Sequence, residues 1–487
     1  MSNPQSTTGY KPDNRFFGHP LPLVNLFGVE MWERFSFYGM QAILAYYLYY
    51  TASQGGLGYD EGTALGIVGA YSGFVYLSTI AGGWISDRLL GAERTLFYSA
   101  CLVMVGHIAL AVLPGSTGVV VGLVCVAIGS GGVKGNATKV VGDLYPQGDL
   151  RRDAGFSLFY MGVNLGAFIG PLLTGYLQDT AGFHWGFGLA AVGMALGLVQ
   201  YALTRRMLPR ISQEVPNPAS AADILNAGGI LLAALVLVGV LIAVGVITAD
   251  NLVDAVIIAV IIASIAYFAF LLSSKRVTPG ERSGVIAFIP LFLSQVAFWA
   301  LFQQLFSFVA VYADKRLNRN ILGWEFPASW VQSIDPVYVL IFAPVLATLW
   351  VKLGPRQPST PIKFAIGTAG IGVAFLAFLF MPSGQNTVPV IGLLAIMLIF
   401  ALSELCISPV GLSVSTKLAP HAFPTQMVAL NFLSISLGSA LAGRLATFYD
   451  MNNEAPYFIV LGGVAIAIGL GVAALTPTIK RLAPEVV

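Results

Sequence analysis

Charge is what this sequence has least of. Only 10% of its 487 residues are Asp, Glu, Lys or Arg, against about 25% in soluble domains, too few to cover a water-facing surface of this size. The 25 Lys and Arg nearly cancel the 23 Asp and Glu, leaving +2, and so small an excess excludes an electrostatic hold on nucleic acid. Cysteine is scarce as well. Cys101, Cys125 and Cys406 each stand in an apolar stretch, with neither the pairing of a disulfide framework nor the spacing of a metal site. His19, His107, His184 and His421 are far apart, and no HExxH, GxSxG or P-loop pattern occurs, which removes the common intramembrane enzyme chemistries. Residues 1–19 are polar and loose and lack a signal peptide's apolar run and cleavage site, so the first helix is expected to serve as its own insertion signal.

What is present is apolar surface: 56% of the chain falls in the AVILMFWYC set, and mean hydropathy is +0.79. A membrane-spanning helix needs about 20 largely apolar residues. Breaks at polar, Gly/Pro or charged clusters predict fourteen, at roughly 21–50, 61–86, 94–114, 117–146, 153–178, 183–204, 223–248, 252–273, 284–313, 326–352, 362–381, 387–417, 423–449 and 455–478, with ends good to about 2–4 residues. The expected class is an all-α membrane protein.

Placing the N-terminus inside sends Lys11, Arg15, Arg88, Arg94, Arg151, Arg152, Arg205, Arg206 and Arg210 to the cytoplasmic side. Lys275, Arg276, Arg282, Lys352, Arg356, Lys363, Lys417, Lys480 and Arg481 follow them, and only Lys315, Arg316 and Arg319 fall outside. The positive-inside rule therefore predicts both termini in the cytoplasm. The polar segment RRMLPRISQEVPNPASAA at 205–222 separates six helices from eight, and the next two are almost bare of polar side chains. The organisation expected is a six-helix bundle over 1–204, a linker with two extra helices over 205–282, and a second six-helix bundle over 283–487. Such 6 + 2 + 6 repeats suit a transporter whose site lies near the midplane between the halves.

An ionisable side chain at membrane depth costs several kcal/mol on most scales and marks a functional site by default. Glu30, Glu33 and Arg34 in the first helix, Lys134 in the fourth, Asp335 in the tenth and Glu404 in the twelfth are such residues. One structural ion pair would not need so many. Glu30, Glu33, Arg34, Phe37, Tyr38 and Gln41 fall at i, i+3, i+4, i+7, i+8 and i+11, on one stripe of a helix. Lys134 sits in GSGGVKGNAT, whose small residues allow close helix approach, as do Gly162, Gly166 and Gly170 around Asn164.

EMWERFSFYG, Glu30 to Gly39, resembles the ExxERFxYY signature of the proton-dependent oligopeptide transporters (the POT or PTR family), a branch of the major facilitator superfamily. GWISDRLLGAER (Gly83 to Arg94), FYMGVNLGAF (Phe159 to Phe168) and SELCISPVGLS (Ser403 to Ser413) are similar to further patterns of that family, in order, with the extra hairpin of its bacterial members. The resemblance implies a major facilitator superfamily fold with 14 transmembrane helices, and proton-driven import of di- and tripeptides by alternating access. It implies no enzyme activity and no cofactor or metal beyond the coupling proton. A plasma-membrane location in a bacterium (the inner membrane if Gram-negative) and function as a monomer complete the expectation.

The chemistry agrees with that activity. A short peptide is a zwitterion whose end charges are separated by a nearly constant backbone, so a site for many sequences should grip the two ends. Arg34 and Lys134 are the candidates for the carboxylate, and Glu404, beside Asn164 and assisted by Asp335, for the amine. Tyr38, Tyr76, Phe298 and Trp299 are candidates for the wall between. Glu30 and Glu33, with Arg34 and Lys134, are the proton-coupling candidates, because burial favours a neutral carboxyl and a nearby cation a charged one. Asp87 and Arg88, with Arg94, are expected to hold a cytoplasmic gate. The family's usual gating Arg and Glu are here Gln41 and Gln303, expected to meet as a neutral amide pair. Its usual Asn before Pro is Asp335, and its usual aromatic in the penultimate helix is Asn431. The nearest alternative is another small solute, such as nitrate, on the same scaffold.

Overall fold

The computed structural model describes residues 13–146, 149 and 151–484; Lys11 and the extreme termini of the orientation argument lie outside them. Fifteen α-helices follow in order: α1 Pro22–Tyr49, α2 Glu61–Ile85, α3 Ala92–Val112, α4 Gly115–Asp143, α5 Arg152–Ala181, α6 Phe183–Thr204, α7 Ala221–Ala243, α8 Leu252–Ser273, α9 Pro279–Phe302, α10 Phe308–Lys315, α11 Ile334–Leu353, α12 Thr360–Ala377, α13 Val390–Lys417, α14 Pro424–Ala446 and α15 Ala455–Leu482. Among the described residues thirteen helical segments are long and apolar enough to cross a membrane. The fourteenth is α1, whose 28 residues suffice in length but carry Glu30, Glu33 and Arg34.

Two departures from the predicted spans have local causes. The ninth is broken: α9 gives way to a 3₁₀ turn, Gln303–Phe306, before α10. There the Gln304 side-chain amide donates to the Ala300 carbonyl at 3.1 Å, the acceptor that a continuing α-helix would give to the Gln304 backbone. The tenth begins as a 3₁₀ turn, Ala328–Ser333, so Pro336 falls in the first turn of α11. A first-turn N–H has no intrahelical acceptor, so the proline costs the helix little there and does not open its backbone. Residues 320–325 form a two-stranded ribbon, β1 Asn320–Ile321 pairing antiparallel with β2 Trp324–Glu325.

Helices α1 to α6 pack on one another, as do α9 to α15, and α2 against α14 and α5 against α11 join the two groups. Small residues set these distances. A Cβ built on Gly166 would lie 2.1 Å from the Met31 carbonyl oxygen, and one on Gly170 2.4 Å from that of Phe35, so the glycine run of α5 is where α1 seats. The extra hairpin divides its labour. No residue of α7 is buried, whereas α8 lies against α2, α9 and α14, with Asp254 ion-paired to Arg444 at 3.0 Å and Asp250 accepting from Thr63 at 2.7 Å.

The segment before α1 is tied down rather than loose from residue 13 onward. The Arg151 guanidinium donates to the Asp13 carbonyl, the Asn14 side chain and the Gly18 carbonyl at 3.1, 2.6 and 3.1 Å, and His19 Nδ1 lies 2.9 Å from the Tyr145 hydroxyl. Arg151→Ala should therefore free this strap: limited proteolysis would cut before α1 several times faster, while the melting temperature of the core stays nearly unchanged, as befits a half-exposed ion-pair site.

Candidate functional site

The polar stripe of α1 faces protein, as the spacing required. Arg34 Nη2 lies 2.6 Å from Glu30 Oε1, its Nε 2.8 Å from the same oxygen and 3.4 Å from Glu33 Oε2, and Ser130 of α4 donates to Glu33 Oε1 at 3.2 Å. All three charged side chains are buried. They are held by proximity along one helix, with α5 and α6 closing the lipid side.

One turn beyond Ser130 stands Lys134, half-buried. Its ammonium lies 4.3 Å from the centre of the Phe37 ring and 5.3 Å from that of Tyr76, within electrostatic reach of Arg34, Glu33 and Glu30. No ion pair forms to it among the described residues. It borders a cavity of about 580 Å³ lined by Gly135, Thr138, Lys139, Arg152 and Phe156 from the first six helices and by Leu412, Val428 and Phe432 from the last six. Aromatic faces hold a cation without neutralising it, so this ammonium is open to an anion.

Across the site, Glu404 of α13 is half-buried and accepts from Ser408 at 3.2 Å. Asp335 of α11, buried and with no hydrogen-bond partner for its Oδ1, lies within electrostatic reach of it. Tyr38, Tyr76 and Tyr160 lie within electrostatic reach of both Arg34 and Glu404, so the two charged ends share one polar room. Tyr38 stacks on Phe306, centroids 5.9 Å apart. Tyr160 and Phe306 were not singled out from sequence, although Tyr160 stands inside the FYMGVNLGAF segment.

Other expectations change. Asn164 turns its amide back to the Tyr160 carbonyl of its own helix at 2.9 Å. Trp299 is buried against Phe298 and Phe302 and pressed on α14 at Gly438, where an added Cβ would lie 2.4 Å from its own Cβ; here it is packing rather than wall. Gln41 and Gln303 do not bond to each other. Gln41 donates to Ser72 at 2.9 Å and Gln303 to Ser439 at 3.1 Å, because each amide finds a serine on the neighbouring helix of its own bundle. Asp87 accepts from Lys139 at 2.9 Å and Arg88 pairs with Asp223 at 2.5 Å, while their carbonyls receive the Asn217 and Ala219 N–H groups. These contacts run to α4 and the linker, not to the last six helices.

The contact between the two groups is made at the other end, by residues that the sequence did not mark. Tyr49 and Tyr50 donate to the two oxygens of Asp314 at 2.7 and 2.8 Å, and Tyr46 to the Ala310 carbonyl at 3.1 Å. Lys315 pairs with Glu61. Trp330 and Ser333 donate to the Leu172 and Phe168 carbonyls at 3.0 and 2.8 Å. Below them Gly69 and Gly443 bring α2 and α14 so close that a Cβ on either would lie 2.5 Å from the Cα of the other. The molecule is thus locked at the Tyr50 end and open, through the cavity beside Lys134, at the Lys139 end. Among the described residues no group of three His, Cys, Asp or Glu side chains is placed to hold a metal ion.

Comparison with known proteins agrees with this architecture. Residues 93–464 match the profile of the POT family. The chain is 44% identical over 473 residues to an uncharacterized transporter, YclF, of Bacillus subtilis (strain 168), covering 96% of each chain. It is 39% identical over 491 residues to a di-/tripeptide transporter of Lactococcus lactis subsp. cremoris, covering 98% of this chain and 99% of that one. A crystal structure of a peptide transporter POT in complex with sulfate superposes with a TM-score of 0.91 at 45% identity, over 97% of both chains.

Proposed function

The chain belongs to the POT family, a family of membrane transporters and not of enzymes, and from that premise we propose that it imports di- and tripeptides together with protons by alternating access. The observation that carries the reading is Lys134: an ammonium group without an ion pair among the described residues, bordering a cavity between the two groups of helices and facing Tyr76, which in turn lies within electrostatic reach of Glu404. A zwitterion fits between such ends. The peptide carboxylate is taken by Lys134 with Arg34, the amine by Glu404 with Asp335, and Tyr38 and Tyr76 form the wall between them.

Coupling follows from charge balance. Arg34 and Lys134 together face Glu30 and Glu33, so the site is near neutral when empty. A peptide carboxylate brings one more negative charge into the same low-dielectric space, and a proton taken on Glu30 or Glu33 offsets it. Peptide and proton then favour each other's binding by equal factors. The locked end, at Tyr50 and Asp314, is proposed to face outward and the open end, rich in Lys and Arg, the cytoplasm of the bacterium, in agreement with the positive-inside rule.

The test is uptake of labelled dialanine into proteoliposomes with and without an imposed proton gradient. Accumulation above the external concentration only when the gradient is present is the expected result; equal uptake in both would remove coupling. Blocked peptides test the end-grip separately. N-acetylated and C-amidated dialanine each forfeit a hydrogen bond to a charged group, about 1.5–3 kcal/mol, and should compete about ten- to a hundredfold less well, whereas exchanging one apolar side chain for another should matter far less. Equal competition by blocked and free peptides would sink the zwitterion grip.

A further inference from the structure

A second cavity, of about 330 Å³, lies at the Tyr50 end and plays no part in holding a peptide. It straddles the joint between the two groups of helices. Phe168 and Leu172 of α5 wall one side, and Val331, Val337 of α11 and Leu393 of α13 the other. The polar side chains around it are already spent: Trp330 donates to the Leu172 carbonyl at 3.0 Å, Ser333 to the Phe168 carbonyl at 2.8 Å and Tyr338 to the Leu394 carbonyl at 3.1 Å. The remaining one, Trp324, is exposed at the rim. Water needs several polar partners to settle in a cavity, and these walls offer it no free side-chain donor or acceptor. Left unfilled, apolar walls forfeit dispersion contacts, which a hydrocarbon occupant restores.

The mouth of the cavity is continuous with the surface that lipid covers. Leu173, Ile341 and Ile391, each beside or one turn beyond a lining residue, are exposed on helices long and apolar enough to cross a membrane. Helix α11 buries only Asp335, Pro336 and Val339, so most of its surface is left to lipid. At the rim, Trp324 and Phe326 pack on Trp330, with ring centroids 5.3 and 6.4 Å apart, an aromatic cluster of the kind that sits at headgroup level. No charge here draws a headgroup in. Lys315 is paired with Glu61, Arg316 with Glu454 and Arg319 with Glu325, so the cations that follow one another beyond α10 are all occupied.

We propose that this cavity holds one acyl chain of a phospholipid from the adjoining leaflet, gripped by its hydrocarbon and not by its headgroup, and only while the Tyr50 end is shut. The walls belong to both groups of helices, and the Trp330 and Ser333 hydrogen bonds cross from one to the other, so parting the groups takes the cavity apart. A seated chain is therefore a tie between them. It favours the shut form by as much as it binds that form better than the open one.

The test is photolabelling of the full chain in proteoliposomes by phosphatidylcholine and, separately, by phosphatidylglycerol, each carrying a diazirine on its acyl chain, with the adducts mapped by mass spectrometry. Val331 and Leu393 are 2% and 1% exposed, out of reach of the bilayer surface, and adducts on them with both lipids are the expected result. Adducts confined to the exposed Ile341, Val345 and Ile391 would overturn the site. Adducts on Val331 and Leu393 with phosphatidylglycerol alone would mean a held headgroup and overturn the chain. Val337→Trp, which fills the cavity from α11, should lower the adducts on Leu393 several-fold and spare those on Val345; undiminished labelling of Leu393 counts against the cavity as the place of binding. Gly443→Leu, which wedges α2 from α14, should lower them as well, and undiminished labelling there would overturn the dependence on the shut form.

Discussion

Lys134→Ala is expected to abolish gradient-driven accumulation of dialanine while leaving the protein folded. Lys134 makes no ion pair among the described residues and rests on Phe37 and Tyr76 at 4.3 and 5.3 Å, so its removal strands no buried partner and stability should change little. The peptide carboxylate, by contrast, loses a charge-assisted bond of about 1.5–3 kcal/mol, a loss of affinity of about ten- to a hundredfold. Coupling suffers more than binding. Arg34 alone then faces Glu30 and Glu33 at 2.6 and 3.4 Å, the incoming carboxylate no longer competes with them for Lys134, and proton uptake ceases to depend on peptide. Accumulation at the normal rate in proteoliposomes of the variant would assign coupling elsewhere.

Gly443→Leu should be as damaging, for a reason unconnected with charge. A Cβ at this position would lie 2.5 Å from Gly69 Cα and 2.7 Å from the Leu65 carbonyl oxygen, both backbone atoms that cannot rotate away. The helices α2 and α14 must separate, and the Lys315–Glu61 and Tyr50–Asp314 contacts above them are pulled apart with them. Each bundle keeps its own interior, so the chain should still insert and bind peptide, but transport should fall to background because the Tyr50 end cannot close. A cysteine placed at Gln41, in a chain whose Cys101, Cys125 and Cys406 are replaced by serine, reports this directly. A membrane-impermeant maleimide added from the Tyr50 side should label it in Gly443→Leu and not in the parent. Protection in both proteins, or normal transport by the variant, would show that this close approach is not needed for closure.

Both predictions combine two kinds of information. Composition, hydropathy and spacing sufficed for the all-α class, for the spans and for the stripe from Glu30 to Gln41, because burial on one side of a helix repeats every three or four residues along the chain. They also sufficed for Lys134 and Glu404 as residues out of place in lipid, since the cost of a charge in hydrocarbon does not depend on its neighbours. The contacts of Trp299 and Asn164 were not legible in the sequence, because an aromatic ring or an amide on a helix carries no mark of whether it faces a cavity or packs against the next helix.

Only the tertiary structure decided which side chains meet. Gln41 and Gln303 look like partners in the sequence, yet each bonds to a serine close by, Ser72 and Ser439. The lock at the far end is built from tyrosines and an aspartate in the last turn of α10, Asp314, that are ordinary residues for the edge of a membrane. Asp335 and Glu404 are 69 residues apart, and only the packing of α11 on α13 brings them near each other. The physical reason is the range of the forces. Transfer from water to lipid acts on each residue alone and is legible one residue at a time, whereas a hydrogen bond acts over about 3 Å and is decided by where two helices cross.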